Sequence, residues 1–209
     1  MSTHMKNVQL NNVELASAIT MPTPAHLDAL RAALVAVADT EGLLDIAYRT
    51  VDSPFGPLLV AATAHGVVRV AFEREDHDRV LDDLAGAVSP RILRSGRRTD
   101  AVARQLDEYF AGRRRRFEVE VDLQLVHGFR REVIAHLAEI DYGSTASYAA
   151  VARAVGNPAA VRAVGSACSH NPVPVVLPCH RVVRSDGSLG QYLGGVETKA
   201  ALLAMEAAA

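Results

Sequence analysis

The stretch NPVPVVLPCHRVV, residues Asn171–Val183, decides how the rest of the chain is read. Prolines punctuate an apolar run that ends in Cys179 beside His180. A thiolate is a strong nucleophile and a thiol a weak one, so a basic neighbour makes Cys179 a candidate nucleophile. The competing reading is a structural cysteine in a buried turn. Adjacent side chains of an extended segment point apart. A bridging water or a tight turn is therefore needed for His180 to take the Cys179 proton.

Around this stretch the pattern is helical with short loops: 129–139, 147–155, 158–169 and 196–207. Gly156-Asn157 between the second and third fits the turn of a helix-turn-helix, and Pro158 suits the first position of the following helix. On a wheel at about 100° per residue, Val161, Val164, Ala167 and Cys168 fall on one side of that helix. Arg162, Gly165, Ser166 and Ser169 fall on the other. A surface helix that needs only solubility usually carries Lys and Glu. Small residues and one Arg suit close approach to a sugar-phosphate wall, or else two ordinary packed helices with a tolerant surface. Cys168 faces the core as a structural thiol.

Upstream of His127-Gly128, a plausible junction, the pattern changes. Strands are expected at 44–51, 58–63, 67–72, near Ile92 and at Phe117–Leu123, and helices at 76–86 and 99–110. Asp52–Pro57 is turn chemistry. Residues 1–22 look irregular. Thr23-Pro24 opens a helix to about residue 41 with Leu27, Leu30, Leu34 and Val37 on one face. Arg113–Arg116 reads as a solvated loop before a strand. The expected organisation is an extension over 1–43, a sheet domain over 44–126 and a domain over 127–209.

A length of 209 residues suffices for one large domain or two small ones. The net charge of −2 gives no overall footprint for nucleic acid. Residues from His127 onward carry seven Lys/Arg against six Asp/Glu, so any DNA binding would have to be compact and local. Two cysteines without a C-x-x-C pair argue against a disulfide framework and a structural zinc site. No run has signal-peptide or membrane-spanning character, so a cytoplasmic location is expected.

From about residue 44 to 206 the chain resembles the O6-alkylguanine-DNA alkyltransferases, most closely from Phe129 to Glu206. The resemblance implies an α+β fold: an N-terminal α/β (ribonuclease-H-like) sheet domain and a mostly helical, winged helix-turn-helix-like catalytic domain. Landmarks of the first domain are Asp52–Pro57 and Leu106–Gly112. Cys179 matches the alkyl acceptor, His180 the partner that ionises it, and Glu206 the carboxylate that orients the histidine. Asn171 matches the brace of the active-site turn, and Tyr148 a donor to the leaving guanine. Arg162 matches the arginine that fills the stack when the damaged nucleotide flips out.

By the same resemblance the DNA-binding surface is Ser147, Tyr148, Ala160, Val161, Arg162, Ala163, Gly165, Ser166, Ser169 and Ser185. The substrate pocket is Tyr148, Val182, Tyr192 and Leu193, with the Cys179 and Val182 carbonyls holding the exocyclic amine. Tyr192 is either a pocket wall or a plain core residue. Leu193 stands where a Ser or Gly is frequent, and its bulk reshapes the pocket. The implied activity is single-turnover, irreversible transfer of the alkyl group from O6-alkylguanine, and from O4-methylthymine, to Cys179. The partner is double-stranded DNA entered through the minor groove. The protein acts as a monomer that can cluster on DNA, with no metal, no cofactor and no membrane. The zinc-binding phosphotriester-repair domain of bifunctional members has no counterpart. Two alternatives are a non-catalytic sensor of alkylated DNA, which the presence of Cys179 disfavours, and a Cys-His-Glu hydrolase, which would turn over.

Overall fold

Short runs of largely buried, mostly apolar residues build a meander of three antiparallel strands, β1 (Ile46–Val51), β2 (Leu58–Thr63) and β3 (Gly66–Phe72). The computed structural model describes residues 23–208; the expectation for residues 1–22 lies outside them. The Asp52–Pro57 turn is held by Ser53, whose Oγ donates to the Gly56 carbonyl at 2.5 Å and accepts from Phe55 N at 3.1 Å. Gly56 has φ +88°, a conformation that favours glycine. A short strand β4 (Ile92–Arg94) adds in parallel to β1, giving the order β3-β2-β1-β4.

All of β2 is buried, and its period of two serves two cores. Leu59 and Ala61 pack with Val80 and Leu84 of helix α2 (His77–Ala87); α1 is Pro24–Thr40. Leu58 and Val60 join Val102, Leu106 and Tyr109 of α3 (Asp100–Phe110). The second cluster continues into the C-terminal part through Val133, Ile134 and Leu137 and on to Val164, Val176 and Cys179. One core thus runs from the sheet to the cysteine. Full burial of a side chain such as Leu106 or Ile134 contributes about 1.5–3 kcal/mol.

The C-terminal part comprises α4 (Gly128–His136), α5 (Tyr148–Ala154), α6 (Val161–Ser169) and α7 (Val196–Ala207). The Ser147 hydroxyl caps α5 by accepting from Ala150 N at 3.0 Å. Ser147 and Ala146 form β5, paired in parallel with β6 (Val182–Val183). That two-residue ladder ties the start of the helix-turn-helix to the chain just past Cys179.

Three expectations change. The strand at Phe117–Leu123 reduces to one bridge between Val121 and Val67. The Gln105 side chain occupies the Glu118 backbone instead, accepting from its N at 2.7 Å and donating to its O at 3.2 Å. The helix expected from Pro158 begins at Val161, because Asn157–Ala160 closes a turn with Ala160 N on Asn157 O at 3.0 Å. The helix expected over 129–139 is α4 followed by a 3-10 turn at Leu137–Glu139. In α1, Leu30, Leu34 and Val37 are 54%, 59% and 58% exposed. The helix docks instead through Ala38, against Leu44 and Ala47, and through Asp39, paired with Arg97 and Arg98.

Candidate active site

Asn171 organises the cysteine loop with both ends of its amide. Its Nδ2 donates to the Leu177 carbonyl at 2.7 Å and its Oδ1 accepts from Val173 N at 3.0 Å. Sheet and loop are joined by Val70 N on Pro172 O at 2.9 Å and by Arg69 Nη1 on the same oxygen at 3.2 Å. Val175 has φ +72°, costly for a β-branched residue and maintained by complete burial. The loop ends in a 3-10 turn, Cys179–Arg181. The chain is therefore in a tight turn, not extended, at Cys179 and His180.

Cys179 is 1% exposed and His180 is fully buried. Burial pushes the Cys179 thiol up to about 11, while an Asn171 hydrogen bond and the Lys199 charge pull it back down. Burial also lowers His180, against the opposing pull of Glu206. At neutral pH the resting pair is therefore thiol and neutral imidazole. His180 Nε2 lies 2.8 Å from Glu206 Oε1, and its Nδ1 is buried without a hydrogen-bonding partner.

Glu206 is the hub. It accepts from Tyr109 OH at 2.6 Å, from Arg181 Nε and Nη2 at 2.9 Å each and from Gly143 N at 3.1 Å. Burial alone would raise its pKa; the hydrogen bonds from His180 and Arg181 overcome that and hold it at about 2. Arg181 also donates to the Ile140 carbonyl at 2.6 Å, and its guanidinium lies 5.6 Å from the Tyr142 ring centre.

Lys199 is buried on the same face of α7 as Leu202 and Glu206. Its Nζ donates to the Val182 carbonyl at 2.6 Å and sits 5.9 Å from the Tyr148 ring centre. The Cys179 carbonyl likewise already accepts from Val182 N, so each carbonyl retains one lone pair for a ligand. Tyr192 is buried, edge-on to Phe72 at 5.6 Å and to His180 at 6.2 Å. Leu193 is half-buried beside it.

An open cleft of about 370 Å³ lies on the sheet domain at Thr63–Val67, away from the cysteine. A second cleft, about 330 Å³, lies beside α6 and is lined by Tyr148, Gly165, Ser166, Ser169, Arg184, Gly190 and Gln191. A Cβ at Gly190 would collide with the Tyr148 hydroxyl, so glycine admits the tyrosine there. Arg162, Ala163 and Ser166 are exposed and Ala160, Gly165 and Ser169 partly so. Val161, expected on the same side as the core residues, is 37% exposed because it opens the helix. Cys168 is buried.

The structure therefore brings Cys179, His180, Glu206 and Asn171 together, and Tyr148 lines the cleft within reach of the Cys179 charge. Ser185 is exposed and lines neither. Residues the sequence reading missed are Tyr109, Arg181, Lys199, Arg184, Gly190 and Gln191. Lys199 was findable, because Lys199, Leu202 and Glu206 recur at helical spacing on an otherwise apolar face. Tyr109 was not, since 97 positions separate it from Glu206. Among the described residues no group of His, Cys, Asp and Glu suits a metal ion, and no helix is long and apolar enough to cross a membrane.

Residues 46–123 match the family model of the 6-O-methylguanine DNA methyltransferase ribonuclease-like domain, and residues 128–208 that of the DNA binding domain of the same proteins. A methylated-DNA–protein-cysteine methyltransferase of Mycobacterium bovis is 39% identical over 161 residues, covering 77% of this chain and 92% of that relative. The crystal structure of the Mycobacterium tuberculosis O6-methylguanine methyltransferase superposes with a TM-score of 0.69 at 35% identity, over 78% of this chain and 93% of that one. A structure of the Mycobacterium tuberculosis protein in complex with DNA gives 0.67 at 35% identity, with the same coverage.

Proposed function

The chain belongs to the 6-O-methylguanine DNA methyltransferase family, binds DNA and repairs O6-methylguanine as a methylated-DNA–protein-cysteine methyltransferase, and on that premise we propose that Cys179 is the acceptor, activated by His180 and Glu206. The observation that carries the assignment is the buried Glu206–His180 contact next to the only cysteine in a polar turn. Glu206 can only accept at Oε1, so Nε2 of His180 carries its proton and Nδ1 is the base. Nδ1 takes the Cys179 proton through a bridging water. The thiolate attacks the alkyl carbon, the S–C bond forms and the C–O6 bond breaks. The electron pair goes to guanine, which takes a proton from Tyr148. Burial raises the Tyr148 hydroxyl, which keeps it protonated until that moment.

The stationary thioether has no leaving route, so each molecule reacts once. Small exposed residues on α6 support approach to the minor groove of duplex DNA, and exposed Arg162 supports replacement of a flipped O6-alkylguanine or O4-methylthymine nucleotide. In this reading residues 127–209 carry chemistry and DNA binding, residues 44–126 brace them, and residues 1–43 stand apart. The protein acts as a monomer, and two free buried cysteines suit a cytoplasmic setting.

The test is intact-protein and peptide mass after mixing with excess O6-methylguanine duplex. One added methylene, stoichiometric and on Cys179, is expected, and none in Cys179→Ala, which still binds the duplex. Methyl found elsewhere, or transfer by Cys179→Ala, overturns the assignment. Lesion-selective binding without mass gain would make the protein a sensor.

A further inference from the structure

Tyr109 lies in the sheet domain, yet its hydroxyl ends inside the Cys-His-Glu network. It donates to Glu206 Oε1 at 2.6 Å and lies 3.4 Å from His180 Nε2. The ring is fixed by Phe110 at 5.4 Å, Phe117 at 5.3 Å and Tyr142 at 6.1 Å, so the hydroxyl has little freedom to turn away. A phenol whose single proton is committed to a carboxylate can offer the imidazole only lone pairs. His180 Nε2 therefore faces two acceptors, the Glu206 oxygen and the Tyr109 oxygen.

We propose that Tyr109 is a positioning residue of the transfer reaction: its hydroxyl, donated to Glu206, fixes the proton of His180 on Nε2 and turns Nδ1 toward Cys179. The inference rests on the reading of Cys179 as acceptor. It explains why the sheet domain takes part in chemistry carried by the C-terminal part. The same hydrogen bond withdraws charge from Glu206 and tempers its pull on the imidazolium. Other groups facing the pair are Cys179 and Arg181 on the turn, Lys199 on α7, Tyr192 beside the ring, and Tyr142 with Arg115 stacked over it. All remain in Tyr109→Phe, which keeps the ring and its aromatic contacts.

The test compares Tyr109→Phe with wild type in single-turnover transfer from an O6-methylguanine duplex, with the rate followed against pH. Loss of the hydroxyl leaves Glu206 more charge to offer the imidazolium. His180 must be neutral to act as the base, so its raised pKa should move the rising limb to higher pH by about half to one unit, the equivalent of one hydrogen bond. The plateau should fall several-fold because His180 is less well oriented. Affinity for the duplex should not change. An unchanged limb overturns the proposal whatever the plateau does, since packing alone would alter the rate without moving the limb.

A second measurement does not depend on the variant folding. In wild type labelled with 15N-histidine, His180 should show the proton on Nε2; a proton on Nδ1 overturns the proposal. Peptide mass separates the two levels. Methyl missing from Cys179 in wild type sinks the acceptor assignment itself. Methyl on Cys179 with an unmoved limb sinks only the role of Tyr109.

Discussion

Replacing Glu206 by Gln removes the charge at the centre of the site, and the structure sets the size of the effect. The carboxylate serves Tyr109, His180, Arg181 and Gly143 at once. An amide has one acceptor oxygen and leaves the Arg181 guanidinium buried without a counter-charge. Breaking a buried ion pair in this way costs about 3–5 kcal/mol. The titration gives an independent figure. Glu206 sits at about 2 when folded against an ordinary 4.5, which corresponds to about 3 kcal/mol of stability. Because the folded pKa is the lower one, this stability is fully present above about pH 5 and is lost as pH falls toward 2; about 1 kcal/mol remains at pH 3. At about 2–4 °C per kcal/mol for a chain this size, Glu206→Gln should melt roughly 10 °C lower at pH 7. The difference from wild type should shrink by more than half at pH 3, where the carboxyl of the unfolded chain is already protonated while the native one is still largely ionised. The assay is paired thermal melts followed by circular dichroism across that range. A loss below about 1 kcal/mol at pH 7, or a gap constant down to pH 3, would refute the buried-hub reasoning.

Arg162→Ala should slow repair of duplex O6-methylguanine by an order of magnitude or more while leaving reaction with free O6-methylguanine base within about twofold, because the side chain is exposed and makes none of the hydrogen bonds to Glu206. Equal slowing of both substrates in single-turnover assays would remove its role in flipping. Leu193→Ser should speed transfer from O6-benzylguanine several-fold more than from O6-methylguanine, since the half-buried leucine takes up room next to Tyr192. Identical changes for both groups, read by rates of Cys179 alkylation, would place Leu193 outside the pocket.

Local signals carried most of the fold. The strands β1 to β3 and helices α2, α3 and α7 announce themselves by period and punctuation, because each buries its own stripe against one neighbour. Errors fall where a distant side chain takes over the backbone. Nothing local at Phe117–Leu123 shows that Gln105 will take the Glu118 N–H and carbonyl. The leucines of α1 are spaced for a core face, yet Ala38 and the Asp39 ion pairs with Arg97 and Arg98 determine which side docks. Periodicity says that an apolar face exists, and only the tertiary partners say whether it is covered. The same divide runs through the site. Cys179, His180 and Asn171 lie within one short segment whose composition betrays them, whereas Glu206 and Tyr109 enter from elements far along the chain.

The resting electrostatics match a protein that is consumed by its own reaction. A permanently ionised Cys179 would react with any passing electrophile. Burial instead holds the thiol up to about 11 and keeps His180 neutral, so neither group is in its reactive form at rest. Arg181 contributes to this restraint, because it already balances the Glu206 charge and opposes a second cation on His180. In the proposed reaction, reactivity appears only when the proton moves from sulfur to Nδ1, creating a thiolate and an imidazolium together, each stabilising the other in a low-dielectric site. Such a pair forms to useful extent when an alkyl carbon is already against the sulfur and the charge can pass on to guanine. Lys199, beside Val182 and the Tyr148 ring, favours the same charge shift, since it lowers the Cys179 thiol and faces the tyrosine proposed to give up its proton. Selectivity thus comes from an arrangement in which the nucleophile and the place for its substrate are completed in the same step.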